Sequence, residues 1–140
     1  MSDKLRSVLV VDDSKSLRMY LEVILERSGY DVRTSSDGSS ACWEIVSDPP
    51  DCVISDWQMP DMDGVALCQW MRQQDYGKYI YFMLMTAYSR FFDVAEGLDS
   101  GADQFLTKPI ESSELLARLR CGERMLQRQM DFVRRNMKTD

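Results

Sequence analysis

The segment DCVISDWQMPDMDG, Asp51 to Gly64, decides how the chain is read. Cys52, Val53 and Ile54 form a short apolar run, and an acid, Asp56, follows it. Pro60 and Gly64 then break regular structure. The pattern predicts a buried strand that delivers one carboxylate to a loop at its C-terminal end.

Similar units flank it on both sides. SVLVVD, Ser7 to Asp12, is another apolar run ending in acid. Ser14 is placed to cap a helix carrying Leu17, Leu21, Ile24 and Leu25 at helical spacing, with Gly29 as its stop. Tyr30 to Thr34 reads as a second strand. Asp37-Gly38 opens a second helix with Ala41, Cys42, Ile45 and Val46 on its apolar face, and Pro49-Pro50 ends it. After the Asp56 loop come a helix over Val65 to Arg72 and a very apolar strand over Tyr79 to Thr86. A helix over Phe91 to Ser100 follows, with Phe91, Val94, Ala95 and Leu98 on one stripe. Gly101 ends it, Asp103 to Leu106 forms a fifth strand, and Ser112 or Ser113 caps a last helix with Glu111 and Glu114 at its positive end. Strand and helix alternate five times. The expected fold is α/β, a five-stranded parallel sheet, doubly wound, with helices on both faces.

Composition narrows the chemistry. The chain has 140 residues, four cysteines and no histidine. The cysteines show no C-x-x-C spacing, so buried thiols in a reducing compartment fit better than zinc. Lack of histidine removes the commonest general base and the Ser-His triads. No apolar run reaches the roughly 20 residues of a membrane span, and MSDKLRS lacks the apolar stretch of a secretion signal. A cytoplasmic location is expected. Charge is uneven: residues 1–114 hold 10 Lys/Arg against 20 Asp/Glu, and residues 115–140 hold 7 against 3. The acidic body argues against direct nucleic-acid binding, and the basic tail reads as a solvated helix face.

In a parallel sheet, ligands bind outside the C-terminal strand ends. Asp12-Asp13, Asp56, Thr86 and Lys108-Pro109 all fall there. Singly, each has an ordinary reading as a turn, a cap or a loop. Together, three carboxylates in one cleft repel, by ~4 kcal/mol for a pair ~4 Å apart at an effective dielectric of about 20. A cation would compensate them, and an oxygen-only donor set suits Mg²⁺. Lys108 adds a fixed positive charge and Thr86 a hydroxyl, which makes a site for a phosphoryl group beside a carboxylate nucleophile.

The chain resembles the receiver domains of two-component response regulators over about residues 5–122, with a flavodoxin-like fold. The matching pieces are VLVVDDS (8–14), DCVISDWQMPDMDG (51–64), MTA (85–87) and GADQFLTKP (101–109). The resemblance implies that Asp56 is the phosphoacceptor and that a sensor histidine kinase or phosphotransfer protein is the donor. It implies that Asp12, Asp13, Asp56 and the Gln58 carbonyl hold Mg²⁺, and that Thr86 and Lys108 bind the phosphoryl group. Gln58, Ala87 and Tyr88 would flank that group, and the Lys108–Pro109 bond would be cis. Phe105 stands where many receivers carry Tyr. It reads either as the aromatic of a switch with Thr86 or as a plain core residue. Phe91 and Phe92 read as a partner surface or as scattered surface aromatics.

A receiver should end near residue 122, yet the chain continues. Leu119, Leu126, Met130, Val133 and Met137 follow a coiled-coil rhythm with Gly122 as a weak spot. Residues 123–140 are therefore expected to form a helical extension. It would either pair two copies as a parallel dimer and lead to an output domain, or fold against its own body. RRNMKTD resembles the join to diguanylate cyclase domains, so any enzyme activity would lie in such an output domain. A stand-alone receiver that binds a separate partner is the alternative. A haloacid-dehalogenase-like phosphatase would need a second Asp two residues after Asp12, where Ser14 stands. A flavin carrier would need donors where the first loop, DDSKS, is acidic.

Overall fold

The computed structural model describes residues 5–87 and 91–138. Within them the order is β1 (Ser7–Val11), α1 (Lys15–Arg27), β2 (Asp31–Ser35), α2 (Gly38–Ser47) and β3 (Cys52–Asp56). It continues with α3 (Gly64–Arg72), β4 (Tyr81–Thr86), α4 (Phe91–Asp99), β5 (Gln104–Thr107) and α5 (Ser112–Lys138). The strands form one parallel sheet in the order β2-β1-β3-β4-β5. The order reverses direction between β1 and β3, which opens a crevice at their C-terminal ends.

Strand periodicity builds two cores. Val8, Val10, Cys52, Ile54, Tyr81, Met83 and Met85 point to the layer of α1 and α5, where Leu21, Leu25, Leu115 and Leu119 meet them. Leu9, Val11, Val53, Phe82 and Leu84 point to the other layer, against Ala41, Ile45, Leu67, Cys68 and Met71. The central strands are apolar on both faces because helices cover both. Burying one such Leu or Ile contributes about 1.5–3 kcal/mol. Ser14 and Asp37 cap α1 and α2 as their sequence positions suggest, accepting from Leu17 N–H and Ser40 N–H. Gly29 ends α1 with φ +94°.

Two expectations need correction. On α2, Val46 is 60 % exposed, and the buried face is Gly38, Ala41 and Ile45. On α4, Ala95 and Leu98 face outward, and Gly97 and Ser100 face in. A Cβ at Gly97 would lie 2.3 Å from Phe105 Cζ and 3.1 Å from Leu84 Cδ1. The smallest residue sets the helix close to the sheet, and the larger side chains rotate outward. The side chains of Phe91 and Phe92, like Tyr88, lie outside the described residues. On α5, the helix runs unbroken through Gly122. A Cβ there would lie 2.9 Å from the Tyr81 ring, so glycine lets α5 approach β4.

The N-terminal edge of the sheet is fastened by two carboxylates. Arg72 donates to Gly101 O, Ile80 O and Asp103 Oδ2, while Asp103 also accepts from Phe82 N–H and the Tyr79 hydroxyl. Asp51 accepts from Arg6 N–H at 2.8 Å and Ser7 N–H at 2.9 Å, and pairs with Lys78 Nζ at 2.9 Å. Burial pushes the Asp51 carboxyl up, but the Lys78 hydrogen bond and the two backbone donors outweigh it and hold the pKa below the ordinary range. A carboxyl depressed on folding adds stability above its unfolded value near 3.9, and that stability is lost as pH falls through the folded value. We expect Asp51→Asn to cost about 1 kcal/mol at pH 7 and to flatten the acid limb below about pH 4. Urea unfolding across pH checks this; an unchanged midpoint at pH 7 would remove Asp51 as an anchor.

Candidate functional site

β1 delivers Asp12 to the crevice. Its backbone N–H donates to Ser35 O at 3.1 Å, the last link to β2. Its Oδ1 accepts from Ser14 N–H at 2.7 Å, and Arg18 Nη1 donates to its carbonyl at 2.7 Å. Asp12 is wholly buried, and Asp13 beside it is exposed. β3 delivers Asp56, also buried. The loop after it is tied down by Trp57 N–H to Met85 O at 2.9 Å and Gly64 N–H to Trp57 O at 2.8 Å. Asp63 then caps α3 through Ala66 N–H. β5 brings Lys108, whose N–H donates to Thr86 O at 2.7 Å. The Lys108–Pro109 bond is cis.

These elements converge as the strand order suggests. Carboxylate oxygens of Asp12, Asp13 and Asp56 lie within 4.8 Å of one another. Lys108 Nζ sits 3.2 Å from Asp56 Oδ2 and 3.4 Å from Asp12 Oδ2. Asp56 also borders a cleft of about 180 Å³, lined by Trp57, Gln58, Thr86, Ala87, Glu96 and Lys108. Phe105 lies half-buried beneath α4, its ring centroid 6.1 Å from that of Trp57.

Electrostatics set the state of these groups. Burial and the neighbouring Asp12 charge push the Asp56 carboxyl above its usual range, with Lys108 opposing them. Burial pulls Lys108 down, but Asp56 and Asp12 outweigh it, so the ammonium is held above the ordinary lysine value. The protein thus holds more negative charge than Lys108 can offset. The donor set is all oxygen and closely spaced, which fits a small hard dication.

Residues 8–120 match the response regulator receiver domain. The chain belongs to this family. It is 41 % identical over 116 residues to the alkaline phosphatase synthesis transcriptional regulatory protein PhoP of Bacillus subtilis, a match covering 82 % of this chain and 47 % of that protein. It is 38 % identical over 120 residues to the transcriptional regulatory protein GltR of Pseudomonas aeruginosa, covering 86 % of this chain and 50 % of that one. The receiver thus spans about half the length of these curated relatives. Among solved structures, the chemotaxis response regulator CheY4 of Vibrio cholerae superposes with a TM-score of 0.79 at 33 % identity, over 83 % of this chain and 97 % of that one. Receiver domains are phosphorylation switches of two-component signalling, and they bind Mg²⁺ at an acidic pocket of this kind.

The sequence reading missed two groups. Arg18 reaches back from α1 to the Asp12 carbonyl, and its only sequence signal is a basic residue one turn past the cap. Glu96 reaches the cleft from α4, and nothing local marks it. Tyr88 lies outside the described residues.

A carboxyl raised on folding makes ionisation unfavourable to the fold. That cost appears as pH rises through the unfolded value near 3.9 and is complete above the folded value. Mg²⁺ should relieve it at pH 7. We expect saturation at tenfold above Kd to add about 1.4 kcal/mol to stability, with a smaller gain in Asp56→Asn. Thermal melts with and without Mg²⁺ check this; equal gains in both proteins would separate Asp56 from the metal.

Proposed function

We propose that Asp56 accepts a phosphoryl group from the phosphohistidine of a sensor kinase or phosphotransfer protein. The observation that carries this is Asp56 itself, buried beside two further carboxylates with Lys108 Nζ at 3.2 Å. An Asp56 oxygen forms the new bond to phosphorus, and the phosphorus–nitrogen bond of the donor breaks with its electron pair on nitrogen. Lys108 balances charge on the transferring group, and Thr86, on the cleft wall, offers its hydroxyl to the phosphoryl oxygens. Asp12, Asp13, Asp56 and the Gln58 carbonyl would hold Mg²⁺, which supplies charge compensation and orientation. The chain is here an acceptor rather than an enzyme, working in the cytoplasm. Gln58 and Ala87 border the phosphoryl group, and Phe105 answers to it through Thr86.

The output runs through α5. Leu119 and Leu126, the first positions of its apolar stripe, are spent on the chain's own core. The Tyr30 hydroxyl donates to Glu123 Oε1 at 2.8 Å, so packing against the body reaches beyond residue 122. Met130, Val133 and Met137 continue the same stripe outward, 41 %, 48 % and 72 % exposed. This supports residues 123–140 as a parallel pairing helix shared by two copies, leading to an output module. Transcriptional relatives about twice as long accord with such a module. The diguanylate cyclase resemblance includes residues 139–140, outside those described. The acidic body does not suit DNA, so any nucleic-acid contact would fall to the output.

Two outcomes are expected. A small phosphodonor with Mg²⁺ adds one phosphoryl group to the wild type and none to Asp56→Asn, read by intact mass; normal labelling of the Asn variant would reject the assignment. Sedimentation with beryllofluoride shows a dimer that Met130→Ser with Val133→Ser weakens at least tenfold; a monomer at high concentration in every state would reject the pairing helix.

A further inference from the structure

We propose that Glu96 is a charge gate on the phosphoryl cleft, disfavouring small anionic phosphodonors relative to a donor presented by a protein. This rests on Asp56 as phosphoacceptor and adds the class of donor the site prefers. Glu96 is the lining residue that α4 contributes to the cleft, which Asp56, Thr86 and Lys108 also line. Its side chain is exposed and, among the described residues, takes no ion pair or hydrogen bond, so it does not serve to tie α4 to the body. Lys108, the cation of the lining, is already shared between Asp56 and Asp12. Adjacent Gly97 seats α4 on Phe105 and Leu84, which fixes the helix backbone that carries Glu96 beside the cleft.

The consequence is electrostatic. A dianionic donor such as acetyl phosphate entering this cleft meets a carboxylate that, among the described residues, has no cation paired with it. A unit charge and a double charge ~8 Å apart in water repel enough to slow entry roughly fivefold. A protein-borne phosphohistidine is anionic too. Its carrier, however, can set basic side chains beside Glu96, and the rest of the interface offsets the repulsion. The chemical step is the same for both. An Asp56 oxygen bonds to phosphorus, and the bond to the donor breaks with its electron pair on the acetate oxygen or the imidazole nitrogen.

The test compares wild type, Glu96→Gln and Glu96→Lys as full chains with acetyl phosphate and saturating Mg²⁺, read by intact mass. Glutamine suits an exposed helix position, so folding is retained. At low ionic strength we expect labelling roughly three- to tenfold faster for Gln and faster still for Lys, with the gap closing near ~0.5 M salt. Mg²⁺ affinity, followed by Trp57 fluorescence, should move the opposite way and weaken about twofold in Glu96→Gln, since a nearby negative charge is gone. Rates equal to wild type, or a gain that salt leaves intact, would overturn the gate. If no protein in the series, wild type included, is labelled, Asp56 as acceptor fails and the gate falls with it.

Discussion

Three carboxylates confined to one crevice repel, and the site is arranged around that repulsion. Asp12 is held by Ser14 N–H at its side chain, by the Arg18 guanidinium at its carbonyl, and by its own N–H donating to Ser35 O. Asp56 is buried at the end of a central strand. Lys108 spans the two, but one ammonium cannot neutralise three acids. The site thus favours added positive charge. The two cores on either side of the sheet supply the apolar stability against which a strained electrostatic site can be maintained.

Two close approaches carry the consequences outward. α4 meets the sheet at Gly97, over the Phe105 ring, and Phe105 in turn faces Trp57 beside Asp56. Packed rings thus link the neighbourhood of Asp56 to α4. α5 meets the sheet at Gly122, against Tyr81, and is held further along by Glu123 and Leu126. The first half of α5 is thus packed into the body before the helix leaves it.

Much of this was legible in the chain itself. Apolar runs ending in acid, caps at Ser14 and Asp37, and stops at Gly29 and Gly101 gave five strand–helix units in their right order. Parallel pairing then placed Asp12, Asp13, Asp56, Thr86 and Lys108 at one edge without reference to any coordinates. Errors came where helical periodicity was read as burial. On α4 the pattern favoured Ala95 and Leu98, but the helix turns its smallest residue inward because the sheet is crowded there by Phe105 and Leu84. On α5 one continuous apolar stripe serves two surfaces, Leu119 and Leu126 within the body and Met130, Val133 and Met137 outside it.

The sequence by itself determined the alternation of strands and helices and the residue types that end each strand, because period, propensity and turn chemistry are local. Only the tertiary structure decided the distances on which function depends. It set Lys108 between two acids from different strands, turned Arg18 back onto Asp12, and brought Glu96 into the cleft. Each is a meeting of residues far apart in the chain or on helix faces that packing alone selects. No local pattern encodes where the sheet lets a helix come closest.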